Sequence, residues 1–318
     1  MMNQEKINFR VSRDFGETFN ASVKFLRQNF KLFFQCILFL AGPFILLSAL
    51  AGAFYQANAL TGMSMFRYSS NPLAQFGLAY FLFIGAAIVA NLALIGTVFS
   101  FMMVYHEKGP NNFTVGDVGK KLTSHIGDIL SVFFVLTIII LLILALVVGV
   151  FVAVGTISPV LAILLGLATL IGLLILLPPW LWQLSACYLV KMEGEHGVMD
   201  SFGRTRELMR DNFWWTWLII VCSWIGVAII AFVFTIPQVA YQMVLMFSTI
   251  RDGGGDTPIA FMIVATVCTF CSTLVYSLLY VVNGFHYFSL AEQKDGKGLM
   301  ERINEIGQTP VNNVDQHY

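Results

Sequence analysis

Five cysteines could support thiol chemistry, and two of them, Cys268 and Cys271, have the CxxC spacing found in redox and metal sites. All five lie within apolar stretches of the chain. Reactive thiols need an accessible and electropositive setting, and disulfide frameworks are typical of small secreted domains. We therefore expect buried thiols with no redox or metal-binding role.

Two clusters of titratable residues could bind a metal ion or transfer protons. The first pairs a histidine with a glutamate, and the second adds two glutamates and a histidine: His106 and Glu107, then Glu193, Glu195 and His196. Neither cluster has the HExxH spacing that places two histidines on one helix face. The segment 251–256, RDGGGD, lacks the ligand spacing of an EF-hand. We expect solvated loop charge at the two clusters and a mobile turn at 251–256, with no catalytic, cofactor-binding or metal site and no enzymatic activity.

The secondary-structure elements that carry these residues can be predicted from the composition, which is unusually apolar. Hydrophobic residues make up 58% of the chain, charged residues 11%, and the mean hydropathy is +0.77. A soluble chain would carry about a quarter charged residues. Six apolar stretches can each cross the roughly 30 Å hydrocarbon layer as a helix. They are 32–57, 76–105, 129–154, 160–190, 213–247 and 259–290. The sequence predicts an all-α integral membrane protein with six transmembrane helices.

The distribution of basic residues predicts the orientation of this membrane domain, residues 32–290, and of its flanking segments 1–31 and 291–318. Of the 18 lysines and arginines, only Arg67 and Arg251 lie in the first, third and fifth connectors. The positive-inside rule places the richer side in the cytoplasm. We therefore expect a bacterial inner-membrane protein with both termini cytoplasmic. The formal net charge of zero gives no reason to expect nucleic-acid binding.

Three segments before the odd-numbered spans have the pattern of amphipathic surface helices. Their apolar faces are Phe15, Phe19, Val23, Leu26 and Phe30 in the first; Val115, Val118, Leu122, Ile126 and Ile129 in the second; and Val198, Phe202, Met209 and Phe213 in the third. Each precedes a pair of spans. The sequence thus predicts three helical hairpins, each preceded by a cytoplasmic surface helix.

The first and third of these segments align at an offset of 183 residues, and both read Arg-x-Asn-Phe where the surface helix meets the span. We interpret this as an internal repeat. In each copy the arginine should lie among anionic lipid headgroups, the asparagine at a bend where the surface helix ends, and the phenylalanine in the apolar layer. The junction residues are Arg27, Asn29 and Phe30, then Arg210, Asn212 and Phe213.

Polar residues and prolines within the spans could form a midplane site. The polar positions are Asn91, Gln183, Gln238 and Asn283, and the prolines are Pro43, Pro178, Pro179 and Pro237. Prolines that interrupt a span free backbone carbonyls, which can bind a substrate, but they can also produce simple kinks. No span contains Asp, Glu, Lys or Arg, which argues against a proton-driven pump.

The Arg-x-Asn-Phe junctions, above all residues 202–217, FGRTRELMRDNFWWTW, resemble the entry into the membrane in a broad group of bacterial six-span proteins. That group is similar to the membrane domain attached to some glycerophosphodiester phosphodiesterases. The resemblance covers most of the chain and implies a six-helix membrane domain. The hydrolase of those enzymes is a separate soluble barrel that we do not expect here, so the resemblance implies no catalytic residue.

These features favour a non-enzymatic scaffold or accessory subunit that organises lipid or a membrane protein complex. We base this preference on the three amphipathic segments that accompany a bundle of spans without charged residues. The alternative is a transporter or permease subunit for a hydrophobic or neutral solute, which kinked spans and a repeat would suit. The expected partners are the lipid bilayer, anionic headgroups and a membrane protein.

Overall fold

The computed structural model describes residues 6–62, 77–110, 112–194, 197–252, 259–296 and 298–300, and over these ranges its regular elements are all helical. The helices are α1 (Phe15–Cys36), α2 (Gly42–Gly62), α3 (Leu78–Lys108), α4 (Val115–Ser124), α5 (Ile126–Ile157), α6 (Pro159–Met192), α7 (Val198–Arg210), α8 (Phe213–Asp252), α9 (Ile259–Val275) and α10 (Ser277–Asp295). Six helical stretches are long and apolar enough to cross a membrane. The predicted helical class and the six spans of membrane length are therefore confirmed.

The bend predicted at Asn29 is wrong, because α1 runs through that residue and continues into the first span. The Asn29 amide donates to the Phe25 carbonyl within the same helix, at 2.9 Å, and the side chain is buried. It therefore does not end the helix. Arg27 lies on the exposed side of α1, and Phe30 is 65% exposed.

A π-helical segment, Ile37–Ala41, connects α1 to α2 and marks the actual irregularity of the first span. It lies just before Pro43, whose ring nitrogen has no hydrogen to donate and whose ring crowds the carbonyl four residues earlier. Widening the preceding turn relieves that crowding, and the Gly42 N–H donates to the Ile37 carbonyl. Pro43 perturbs the span without breaking it.

The other prolines lie inside continuous helices, which favours the simple-kink alternative over broken spans. Pro178 and Pro179 lie inside α6, and Pro237 lies inside α8. The side chains of Pro43 and Pro237 are exposed on the outside of the bundle. Neighbouring helices and local adjustments can satisfy backbone groups that a proline frees in a membrane helix.

The second Arg-x-Asn-Phe segment does contain a break. The helix α7 ends at Arg210, a turn follows, and α8 begins at Phe213. Asn212 lies in the turn and donates to the Gln293 side chain at 3.3 Å. The second connector is similar, since α4 ends at Ser124 and α5 begins at Ile126.

The faces that α1 and α7 bury differ from the apolar faces predicted for them. The buried residues are Thr18, Ser22, Phe25, Asn29, Phe33 and Cys36 in α1, and Ser201, Thr205 and Leu208 in α7. Val23, on the predicted face of α1, is 51% exposed. Lipid accepts apolar side chains, whereas small and polar ones permit close helix packing. The packed side of α1 is therefore not its most apolar side.

The centre of the bundle is built from the second half of α3 and from α10. Every residue from Leu94 to Met102 is buried, as is every residue from Val281 to Leu290. The two helices run in the same direction, because Asn91 contacts Tyr280 near one end and His106 lies beside Phe288 near the other. The described part of the core is thus densely packed around these two helices.

The hairpin of α5 and α6 is the least buried pair of spans in the described structure. No residue from 137 to 178 is buried, and we call this stretch the outer arm. None of the residues in the most apolar part of α6 is buried, whereas 44% of those in the most apolar part of the first span are buried. At the base of the arm, the Trp217 indole donates to the Leu174 carbonyl at 3.3 Å.

Candidate functional site

The polar chemistry of the described residues is concentrated at one end of the bundle. We call it the basic end, because Lys108 of α3, Lys191 of α6 and Lys294 of α10 lie in the last turns of their helices there. The short helices α4 and α7 also lie at this end, each connected to a central helix by ion pairs.

Two ion pairs connect α4 to the last turn of α3. The Lys108 ammonium lies 2.8 Å from the Asp117 carboxylate, and the Lys121 ammonium lies 2.7 Å from Glu107. The hydrogen bond from Lys108, together with bonds from the Thr114 backbone and hydroxyl, holds the pKa of Asp117 well below its usual value. Asp117 and Thr114 also form the capping box that begins α4.

The helix α7 is attached to the end of α10 in the same manner. Arg204 pairs with Asp295, and the Lys294 ammonium lies 2.9 Å from Glu207. The hydrogen bond from Lys294 lowers the pKa of Glu207. Ion pairs near the surface contribute little to stability, so their role is chiefly to orient α7.

Residues 6–14 form an N-terminal strap across the basic end. Phe9 is fully buried, and its ring lies 5.0–5.7 Å from five rings, centroid to centroid. These rings belong to Phe25, Tyr105, His106, Phe285 and Phe288. Backbone groups secure both sides of Phe9: the Ile7 N–H donates to the Tyr105 hydroxyl, and the Arg13 N–H donates to Ser289.

A cavity of about 320 Å³ opens beside the strap. It brings together His106 and Glu107 of α3 with Glu193, which follows α6, so members of both predicted clusters line one cavity. Glu195 and His196 lie outside the described residues. The full lining is Arg10, Met103, His106, Glu107, Lys121, His125, Met192, Glu193, Gly194 and Phe288.

A smaller recess of about 30 Å³ continues from this cavity and shares Arg10, Glu193 and Phe288 with it. Its carboxylates already accept hydrogen bonds. The Tyr287 hydroxyl donates to Glu193 at 2.7 Å, and the Gly298 N–H donates to Glu292 at 2.7 Å. The carboxylates of this recess are therefore held in place by neighbouring donors.

A second polar cluster is buried between α6, α8 and α10. The Asn283 amide donates to the Ser185 hydroxyl at 3.1 Å, while its carbonyl side-chain oxygen is buried and finds no protein partner among the described residues. His286, one turn further, lies 3.0 Å from the Thr216 hydroxyl and against the Trp182 ring. His286 is a titratable residue inside the sixth span that was not among the predicted site residues.

The other polar residues predicted within the spans form bonds between helices. The Tyr280 hydroxyl donates to Asn91 at 2.7 Å, and the Gln183 amide donates to the Phe202 carbonyl at 3.2 Å. The Gln238 amide donates to Gln56 at 2.8 Å. Bonds of this kind contribute on average about 0.6 kcal/mol in a membrane protein.

The CxxC cysteines and the side chains considered as metal ligands can be located in part. Cys268 is buried, Cys271 is half-buried, and both are free thiols. Within the described ranges, no three His, Cys, Asp or Glu side chains converge closely enough to hold a metal ion. The glycines of segment 251–256 lie outside the described residues.

Comparison with known proteins adds no relative. No family model matches the chain, no curated protein matches it, and no solved structure matches it. The resemblance to six-span membrane domains therefore stays a prediction.

Proposed function

We propose that the protein is a non-enzymatic scaffold or accessory subunit of the bacterial inner membrane that organises lipid or a partner complex. The observation that carries this proposal is the outer arm, in which no residue is buried. A helix pair with no buried residue over this length presents a long apolar surface within the bilayer. We assign that surface to a membrane protein partner.

The orientation and the repeat belong to the same proposal. The basic end faces the cytoplasm, because cytoplasmic segments carry an excess of Lys and Arg. The chain then forms three units, each a surface element followed by a helical hairpin. The buried residues Thr18, Ser22 and Phe25 of α1 correspond to Ser201, Thr205 and Leu208 of α7 at the 183-residue offset, which supports the relation between the first and third units.

Transport of a hydrophobic or neutral solute is the alternative function. It rested on kinked spans and the repeat, and α6 and α8 continue as single helices through their prolines. The described centre around α3 and α10 is also filled by side chains. A packed centre supports a scaffold better than a solute path.

Photocrosslinking from the outer arm tests the partner assignment. We expect a photoreactive residue at Leu146, which is 68% exposed, to trap a discrete protein adduct in native membranes. The matched control is Phe232 of α8, which is 61% exposed and lies outside the arm. Equal labelling at both positions, with lipid as the only adduct, would remove the partner assignment. If the purified protein instead lacks a partner and is stabilised by one neutral solute, transport is favoured.

Cysteine labelling tests the orientation. We expect a cysteine at position 206, on the exposed side of α7, to react with a membrane-impermeant maleimide only after the cells are opened. A cysteine at position 253, beyond α8, should react in intact cells. The five native cysteines require the unmodified parent as a control. Reaction at position 206 in intact cells would reverse the proposed topology.

A further inference from the structure

The basic-end cavity has an amphipathic lining. Met103, Met192 and Phe288 provide apolar surface, and Phe288 also stacks on Phe9 of the strap, with ring centroids 5.2 Å apart. Four charged side chains and two histidines provide polar surface. A cavity that combines the two kinds of surface suits a ligand with a charged group and an apolar portion.

The charges of the cavity are balanced in number. Two cations, Arg10 and Lys121, lie in the lining together with two carboxylates, Glu107 and Glu193. A simple anion would be repelled by the two carboxylates, and a simple cation would be repelled by the two basic groups. A ligand with both charges can pair with both sets at once, which is how complementary charge produces specificity.

The donors and acceptors of these groups allow such pairing. Lys121 directs its ammonium to Glu107 at 2.7 Å, but a lysine ammonium carries three hydrogens, so further bonds are open to it. The Glu193 carboxylate accepts the Tyr287 hydroxyl on Oε2, and this bond orients the group at the edge of the cavity. Arg10 lies in the lining of both the cavity and its recess.

We infer that this cavity binds a zwitterion that joins a phosphate to an ammonium group, the chemistry of an ethanolamine phospholipid headgroup. Arg10 and Lys121 bind the phosphate, and Glu107 and Glu193 bind the ammonium. The apolar surface of Met103, Met192 and Phe288 lies against the adjoining carbon atoms. This inference rests on the proposed function, because it gives a lipid-organising subunit a specific headgroup.

Calorimetric titration of the full chain in a non-ionic maltoside detergent tests the inference. The probes are dihexanoyl phosphatidylethanolamine, dihexanoyl phosphatidylglycerol, free phosphoethanolamine and inorganic phosphate. We expect saturable binding of the ethanolamine lipid, and binding of the glycerol lipid and of inorganic phosphate weaker by about tenfold or more, because each lacks a charge-assisted bond to the carboxylates. Comparison of the ethanolamine lipid with phosphoethanolamine identifies whether the natural source is a lipid or a soluble headgroup.

Variants of the lining complete the test. Lys121→Gln and Glu193→Gln should each weaken binding of the ethanolamine lipid by about tenfold or more, whereas Lys121→Arg should retain it. The matched control is Lys120→Gln, because Lys120 is exposed on the same helix and does not line the cavity. Thermal unfolding of each variant verifies the fold.

Equal affinity for the ethanolamine and glycerol lipids would overturn the inference, as would an equal effect of Lys120→Gln and Lys121→Gln. Absence of saturable binding of both ethanolamine probes would also overturn it. These outcomes are independent of crosslinking from the outer arm. A trapped partner protein without headgroup binding would remove the cavity assignment and leave the scaffold proposal standing.

Discussion

Replacement of Phe9 by Ala should lower the free energy of unfolding by about 3–5 kcal/mol, the range for a phenylalanine truncated inside a packed core. Phe9 is fully buried, and its five ring neighbours come from α1, α3 and α10. Truncation would leave a cavity where these three helices meet. The strap would also lose the anchor that holds the Ile7 N–H on the Tyr105 hydroxyl.

The matched control is Phe30→Ala, because Phe30 is 65% exposed on α1. We expect its effect to remain within about 0.5 kcal/mol. Unfolding in mixed detergent micelles measures both variants, and hydrogen exchange at the Ile7 amide measures release of the strap. Equal stability of the two variants would show that Phe9 does not contribute to the core.

The sequence predicted the spans well because a membrane imposes one simple requirement. A helix must remain apolar over about 20 residues to cross the hydrocarbon layer. The apolar run 129–154, for example, lies within α5, Ile126–Ile157. Length and hydropathy are properties of one segment, and no tertiary contact is needed to read them.

The two Arg-x-Asn-Phe segments show where local sequence is insufficient. Asn29 is buried within a continuous helix, whereas Asn212 lies in a turn and bonds to Gln293 of α10. The same four-residue pattern thus occurs in two backbone conformations, because tertiary contacts outweigh local preference. The prediction of a bend was correct for one copy and wrong for the other.

The basic-end cavity could not be predicted because its members are far apart in the chain. Arg10, His106 and Glu193 belong to the strap, α3 and the end of α6. The burial of Phe9 could not be predicted either, since a single phenylalanine in a largely polar segment shows no periodic pattern. His286 was detectable in principle, as a histidine within an otherwise apolar run.

Replacement of Trp182 by Ala is expected to loosen the base of the outer arm. Trp182 is fully buried, donates its indole N–H to the backbone carbonyl of Asn283 at 3.4 Å, and packs edge-on against the His286 ring at 5.2 Å. It therefore connects α6 to α10 close to where burial in α6 begins, at Pro179. We expect a loss of about 3–5 kcal/mol in the free energy of unfolding.

The control for this variant is Trp214→Ala, because Trp214 is 68% exposed at the start of α8 and its removal leaves no internal cavity. Since no residue from 137 to 178 is buried, the arm depends on contacts at its base to keep its position. Amide exchange in α5 and α6 should therefore increase in Trp182→Ala more than exchange in α2 and α3. A uniform increase across all spans would instead indicate that the arm and the central bundle unfold as one unit. If Trp182→Ala is as stable as Trp214→Ala, the arm is secured elsewhere, and the bond from Trp217 to the Leu174 carbonyl is the next contact to remove.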